Sequence, residues 1–281
     1  MVKRLKQIII NVLLIYVFCP AVCGVLGGCT VDLSGFFISG DLDKRLEKKD
    51  NFIFLSDEDL SPSFGSEYSF IVLADIHIEN GNAWGFENMA DIIAGNSEIK
   101  FIAVLGDITQ SGYAEDLEKF REIAGTFNVP CYPVIGNHDI YFGNWSVWNE
   151  IIGSTSYRVD AADTTLFILD SANSFFGRQQ LDWLEKEISK TDGRVFIFTH
   201  SPLFVTGPAE MQQMTDLRER ARIVSMLRGK CDIIFSGHSH ARYTYEINNT
   251  EYIVIEDFKN NKVYCFVTVN KNGVSREFKK L

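Results

Sequence analysis

The stretch Tyr132-Pro133-Val134-Ile135-Gly136-Asn137-His138-Asp139 decides how this chain is read. An apolar run of strand length stops at a glycine, and ligand-type side chains follow at once. The pattern recurs along the sequence. Phe70 to Ala74 ends at Asp75-Ile76-His77, and Phe101 to Leu105 ends at Gly106-Asp107. Val195 to Phe198 ends at Thr199-His200, and Ile233 to Phe235 ends near Gly237-His238-Ser239-His240. The chain has 5 histidines, and these motifs hold all of them. Short continuous apolar runs read as strands buried on both faces. In layered α/β folds, ligands bind beyond the carboxyl ends of such strands. Distant segments can therefore deliver polar side chains to one place.

Between the runs lie helical patterns. Tyr113, Leu117, Phe120, Ala124 and Phe127 recur at helical spacing, with Glu115 and Asp116 in the first turn, where acids suit the helix dipole. Leu181, Leu184 and Ile188 do the same, as do Met214, Leu217, Ala221, Val224 and Leu227, before a stop at Gly229. Tyr157 to Val159 and Leu166 to Leu169 read as an antiparallel pair. The C-terminal part predicts strands near 241–247, 252–255 and 263–269, with turns at Asn248-Asn249, Asn260-Asn261 and Asn272-Gly273. The fold class is α/β: two mixed sheets flanked by helices.

Three stretches are expected. Residues 1–28 read as a signal peptide of lipoprotein type. Lys3, Arg4 and Lys6 precede an apolar segment from Ile8 to Phe18, and Pro20 breaks it. Leu26-Gly27-Gly28-Cys29 then resembles a bacterial lipobox, with Cys29 as the lipidated residue. An uncleaved membrane anchor is the alternative, and both readings place the rest of the chain outside the cytoplasm. Residues 29–66 read as a tether, because Asp41 to Asp50 is a charge run and Ser61-Pro62-Ser63 punctuates it. Residues 67–281 read as the globular domain. Cys131, Cys231 and Cys265 remain there, each in or beside an apolar run, either as buried thiols or with one pair joined.

The whole chain carries a net charge of −10. Removing residues 1–28 takes away three basic residues and no acid, so 24 basic and 37 acidic residues remain, a balance of −13. Such a surface repels a nucleic-acid duplex at long range. A small phosphate ester could still bind, because metal ions set the local field of a metal site.

Imidazole and carboxylate together suit zinc, manganese and iron. Each motif alone has an ordinary reading. Asp75 alone could cap a helix, Gly106-Asp107 and Gly136-Asn137 are common turn chemistry, and His200 alone could be a satisfied histidine at a strand end. Their coincidence at strand ends points to a metal site, and to a two-metal one. Asp139 is open between two roles: orienting His138, or capping a following turn. Asn144, Trp145 and Trp148 follow the third motif and either pack or touch substrate.

These motifs, in this order, resemble the calcineurin-like metallophosphoesterase superfamily over roughly residues 68–242. Leu169-Asp170-Ser171 and the run Gln180 to Glu185 fit the same resemblance. It implies a four-layer α/β/β/α sandwich and two divalent or trivalent metal ions, Mn, Fe or Zn. Asp75, His77 and His240 would bind the first ion. Asp107 would bridge, and Asn137, His200 and His238 would complete the second site. His138 would face the phosphate and the leaving group, with Asp139 beside it, and Asn137 could also donate to substrate. The implied reaction is hydrolysis of a phosphodiester or phosphomonoester by a hydroxide bridging the two ions.

Gln110 stands where purple acid phosphatases place a tyrosine ligand, and Gln110-Ser111-Gly112 departs from the Asp-Arg-Gly of Ser/Thr protein phosphatases. The resemblance therefore narrows to compact bacterial members that act on small phosphoesters. The expected partners are a small phosphoester and, through the N-terminus, a bacterial membrane. Two alternatives belong to other classes: a non-catalytic scaffold of the same fold, and a protein that only binds phosphate or nucleotide.

Overall fold

The computed structural model describes residues 42–48 and 50–281. The segment read as a signal peptide, together with Cys29, lies outside the described residues. The strands are β1 (Tyr68–Leu73), β2 (Ile99–Leu105), β3 (Cys131–Val134), β4 (Tyr157–Ala161), β5 (Thr164–Ile168), β6 (Arg194–Phe198), β7 (Ile233–Ser236), β8 (Tyr243–Ile247), β9 (Thr250–Val254), β10 (Val263–Asn270) and β11 (Gly273–Lys280). They form a five-stranded sheet in the order β11-β10-β1-β2-β3 and a six-stranded sheet in the order β4-β5-β6-β7-β9-β8. β1, β2 and β3 run parallel, as do β5, β6, β7 and β9. Pro133 sits in β3 at the edge of its sheet, where a missing N–H breaks no ladder.

The two sheets face each other across an apolar core. Phe70, Val72, Phe101, Leu105 and Val134 meet Leu166, Ile168, Phe196, Phe198 and Phe235 there. Phe70 stacks on Phe101 at 4.5 Å between centroids and meets Phe196 edge-on at 5.2 Å. Truncating such a ring to alanine costs about 3–5 kcal/mol. Alternate residues of the same strands point outward. Ile71, Leu73, Ile102 and Val104 pack under α3 (Met89–Ala94), α4 (Ala114–Ala124) and α5 (Trp145–Ile151). Phe167, Val195, Ile197 and Ile234 pack under α6 (Arg178–Ile188) and α7 (Leu217–Leu227). Two buried faces per strand explain the continuous apolar runs, and the result is the four-layer α/β/β/α arrangement.

Three local expectations change. First, residues 42–64 are not a tether. Leu42 and Leu46 of α1 (Leu42–Leu46) are buried, and so are Leu55 and Phe64 on either side of α2 (Asp57–Leu60). Phe52 bridges to Gly153, and Ser154 N donates to Asn51 O at 2.7 Å. Within the charge run, Arg45 is buried and donates to both oxygens of Asp170, at 2.7 and 2.9 Å. Second, Asn260-Asn261 is not a simple turn between strands. It closes a short helix, α8 (Phe258–Asn261), capped by the Asp257 side chain. Third, two apolar stripes are shifted: Tyr113 precedes α4 and is exposed, and Leu217 and Ala221 of α7 are exposed while Ile223 and Leu227 face the core. The Asn248-Asn249 turn holds as expected, with both residues at positive φ.

Cys131, Cys231 and Cys265 are free and buried, and burial pushes all three thiols up. Among the described residues, no helix is long and apolar enough to cross a membrane.

Candidate metal centre

The carboxyl ends of β1, β2, β3, β6 and β7 open onto one space, and the motif residues meet there. Two sets of donors lie within 4.8 Å of one another: Asp75, His77, Asp107 and His240, and Asp107, His200 and His238. Asp107 belongs to both. Its Oδ1 lies 3.3 Å from His200 Nε2, and its Oδ2 lies 3.8 Å from His77 Nε2. His240 Nε2 is 3.7 Å from Asp75 Oδ1 and 3.4 Å from His77 Nε2. Asn137 Oδ1 is 2.9 Å from His200 Nε2, and His238 Nδ1 is 3.1 Å from the same atom. His138 Nε2 is 3.9 Å from Asp107 Oδ2. Every metal-ligand candidate from the sequence is thus in one cluster.

The backbone is bent to achieve this. Asp75, His77, Asp107, His238 and His240 all adopt positive φ, between 46° and 68°. Non-glycine residues rarely do so, and such conformations concentrate at functional sites. Gly106 also has positive φ (83°), and a Cβ there would sit 2.5 Å from His200 Nδ1. A Cβ on Gly136 would collide with the backbone N of Asp107. These two glycines allow adjacent strand ends to approach closely enough for their ligands to meet.

The hydrogen bonds fix which atoms face inward. His200 Nδ1 lies 2.8 Å from Leu105 O, a pure acceptor, so Nδ1 carries the proton and Nε2 presents a lone pair. Around that lone pair stand Asn137 Oδ1, Asp107 Oδ1 and His238 Nδ1. Asn137 Nδ2 donates to Tyr141 Oη at 3.0 Å, which sets its amide oxygen toward His200. Lone pairs at these separations repel unless a cation sits among them. Atoms sharing one ion through bonds of about 2.1 Å stand about 3–3.4 Å apart, so this donor set fits a metal ion. On the other side, His77 Nδ1 is buried without a hydrogen-bond partner.

Electrostatics agrees. Burial disfavours charge on both carboxylates. At Asp107 the surrounding imidazoles, His200 foremost, outweigh burial and hold the carboxyl below the ordinary range. Asp75 is pushed well up by burial and by the charge of Asp107. Burial pushes His77 and His238 down to about 3 and lowers His200 as well, which favours neutral rings with free lone pairs.

Comparison with known proteins gives this geometry a family. The family model described as calcineurin-like phosphoesterase matches residues 68–242. The chain belongs to the calcineurin-like phosphoesterase family. A probable cyclic nucleotide phosphodiesterase of Fibrobacter succinogenes is 26% identical over 177 residues, covering 59% of this chain and 65% of the relative. A probable glycerophosphodiester phosphodiesterase of Arcobacter nitrofigilis is 30% identical over 150 residues, covering 48% and 54%. The chain thus spans less than two thirds of the length of either relative. A dimetal phosphatase from Danio rerio shares the fold at 15% identity and a TM-score of 0.62, over 76% of this chain and 96% of that one.

Within this phosphoesterase fold, hydrogen bonds decide between the two roles left open for Asp139. Asp139 does not orient His138. Its buried carboxylate accepts from Ile108 N, Thr109 N, Thr109 Oγ1 and Gly136 N, at 2.8–3.2 Å. It ties the turn of the second motif to that of the third. Burial and the charge of Asp107 raise it to about 7, against the pull of those donors. The ring of His138 is positioned instead by Gln110 O, 2.8 Å from Nδ1. Trp148 is fully buried, as a packing residue should be. Asn144 Nδ2 donates to Ser111 O at 3.0 Å.

Sequence reasoning missed two groups near the cluster. Ser171 Oγ accepts from His200 N, Ser201 N and Thr199 Oγ1, at 2.7–3.1 Å, and so holds the fourth motif in place. The fit of Leu169-Asp170-Ser171 to the family pattern was the signal available for it. Lys259 and Trp84 flank the cluster from segments that carry no motif.

Proposed function

We propose that this protein is a dinuclear metal-dependent phosphoric ester hydrolase acting on a small phosphodiester or phosphomonoester. The convergence of two donor sets on Asp107 carries the reading. Asp75, His77 and His240 would hold one ion with Asp107, and Asn137, His200 and His238 would hold the other. Mn, Fe or Zn suits these donors. Bound there, such ions supply charge neutralisation for the phosphoryl oxygens and a water-derived nucleophile at neutral pH.

The protein's own groups do the rest. His138 Nδ1 donates to Gln110 O, so Nε2 is the nitrogen turned toward Asp107 and the cluster. A proton held at Nε2 passes to the departing ester oxygen, which would otherwise leave as an alkoxide. The ring is braced by His77, 4.6 Å away edge-on, and by Tyr141, 4.3 Å away. Asn137 spends one N–H on Tyr141 and keeps a second for a phosphoryl oxygen. Asp139 acts as a positioning residue, because it locks Asp107 and His138 onto one rigid pair of turns.

Both curated relatives are named for diester substrates, which favours a small diester. The N-terminal pattern supports an exported protein lipidated at Cys29 and held at a bacterial membrane. Of the expected tether, the part from Leu42 packs on the domain. Cys29→Ser is expected to abolish lipid labelling and membrane retention; a normally labelled mutant would end the lipobox reading.

The deciding experiment is hydrolysis of bis(p-nitrophenyl) phosphate by metal-free protein reconstituted in turn with Mn²⁺, Zn²⁺ and Fe²⁺. Turnover that chelator removes is expected. Folded, metal-loaded protein that turns over neither this ester nor p-nitrophenyl phosphate would leave the scaffold or binding-protein readings. His138→Ala should then cut turnover more for an alkyl leaving group than for p-nitrophenolate, by about 10²-fold for the alkyl ester. An equal loss for both would remove the proton-donor role.

A further inference from the structure

The wall beside His138 contains a cation that the reaction above does not use. Lys259 lies on α8, and its backbone N donates to Asp75 O at 3.2 Å, so the helix hangs from the end of β1. Lys259 Nζ is 3.1 Å from Gln110 Oε1 and 4.9 Å from the centroid of the Trp84 ring. Trp84 is itself pinned, because its Nε1 donates to His77 O at 2.8 Å and its φ is +55°. A bulky residue held in the left-handed region is unusual and needs such over-determination.

The orientation of Gln110 follows from donor arithmetic. An ammonium only donates, so the amide oxygen must face Lys259 and the NH₂ must face away. That NH₂ lies 3.5 Å from His138 Nδ1. His138 Nδ1 already donates to Gln110 O and has no lone pair to offer. The amide N–H groups are therefore left for another acceptor. The carboxylate nearest Lys259 in the structure is that of Glu79, at 3.9 Å, and its side chain is 47% exposed. Water screens such a pair. The lysine side chain is only 22% exposed, so its charge is less screened than that of a surface lysine.

We propose that Lys259 and Gln110 form a subsite for a second anionic oxygen group, carried on the leaving group of the phosphoester. The inference rests on the hydrolase reading and deepens it. His138 turns Nε2 toward the leaving oxygen, Gln110 O lies 2.8 Å from its Nδ1, and Lys259 Nζ lies 3.1 Å from Gln110 Oε1. An anionic group beyond that oxygen would take one bond from the ammonium and one from the amide. The Trp84 ring keeps the ammonium in place through a cation–π contact while it waits for the anion.

The test compares three probes on the metal-loaded full-length protein: glycerol 3-phosphate, 3-phosphoglycerate and glycerol 1,3-bisphosphate. Affinities come from calorimetric titration, or relative kcat/KM where a probe turns over. The two doubly functional probes are expected to be favoured about tenfold over glycerol 3-phosphate, the size of one charge-assisted hydrogen bond. A carboxylate-only or phosphate-only preference would identify which anion the subsite takes, and either supports it. Lys259→Met should bring the ratio to about one, Lys259→Arg should keep most of it, and Gln110→Ala should lower it in part. A ratio near one in the wild type, or an unchanged ratio in both Lys259→Met and Gln110→Ala, would overturn the subsite while leaving the hydrolase reading intact. Failure of all three probes to bind protein of verified metal content would sink the hydrolase reading first, and the subsite with it.

Discussion

The two donor sets that share Asp107 are built on different principles. The half around Asp75, His77 and His240 relies on charge. It combines two buried carboxylates, Asp75 and Asp107, with an orphaned His77 Nδ1 and a His240 side chain that is 42% exposed. The half around Asn137, His200 and His238 relies on position. Its carboxylate is shared, but His200 is fully buried and held at its backbone N by Ser171 Oγ and at Nδ1 by Leu105 O. Ligand charge sets the affinity of a hard cation, whereas hydrogen bonds behind the ligands set the geometry. On the proposed two-ion reading, the comparison teaches that the Asp75 half should hold its ion harder, and that the His200 half should be more sensitive to changes in its supports.

The harshest test attacks what the halves share. Asp107→Asn removes the only carboxylate common to both donor sets. Both ions should be lost or weakened together, with turnover down by about 10³-fold or more, since the charge that offsets two dications has gone. Elemental analysis and kinetics read the result. If one half empties while the other stays full, Asp107 is not the shared ligand.

Next comes the support of the ordered half. Arg45 reaches from α1 to Asp170, the neighbour of Ser171, and both side chains of the pair are fully buried. Arg45→Met would strand the Asp170 carboxylate, at a cost of about 3–5 kcal/mol. For a domain of this size, that lowers Tm by about 6–20 °C. Arg45→Met/Asp170→Leu should recover most of that loss, because no buried charge is then left unpaired. A single mutant as stable as the wild type would show that the Arg45–Asp170 pair contributes nothing to the stability of the domain.

What could be read from the sequence follows the same division. The strand-end motifs were legible because each strand is buried on both faces and shows as an unbroken apolar run with ligand chemistry at its end. The long helices α4 and α6 were legible from their apolar spacing, whereas α7 buries Arg220, Ile223 and Leu227 and leaves Leu217 and Ala221 of the expected stripe exposed. Arg45 was not, because it lies inside a charge run of the kind that usually stays solvated, and its partner is 125 residues away. The strain at Asp75, Asp107 and His238 was equally hidden, since no glycine marks those positions. Asp139 carried a plausible local role beside His138, yet its donors come from Ile108 and Thr109 as well as Gly136, and no short-range pattern records that. Lys259 sits in a segment that reads as a turn, and only the fold brings it beside Gln110.

Loading the site measures the charge half directly. Asp75 and Asp107 are buried together, and Asp75 is pushed up by burial and by the charge of Asp107. A metal present at a hundred times its dissociation constant should stabilise the fold by about 2.7 kcal/mol, a rise in Tm of about 5–11 °C. Stepwise chelation should first remove the ion of the His200 half, and Asp75→Asn should reverse that order. Loss of both ions in a single step from the wild type would erase the distinction between the halves.

The mildest change tests geometry without touching a ligand. Ser171→Ala deletes one oxygen atom, and that atom accepts from His200 N, Ser201 N and Thr199 Oγ1. Residues that support metal ligands typically contribute 10–100-fold to metal affinity or activity. Turnover should therefore fall by about 10–100-fold, with the ion of the His200 half weakened and the ion of the Asp75 half unchanged. Ser171→Thr keeps the hydroxyl and should retain more activity than Ser171→Ala, even though its extra methyl must fit a fully buried position. Equal weakening of both ions in Ser171→Ala would mean that the cluster responds as one unit, and that His200 owes its placement to Asp107 and Leu105 rather than to the serine behind it.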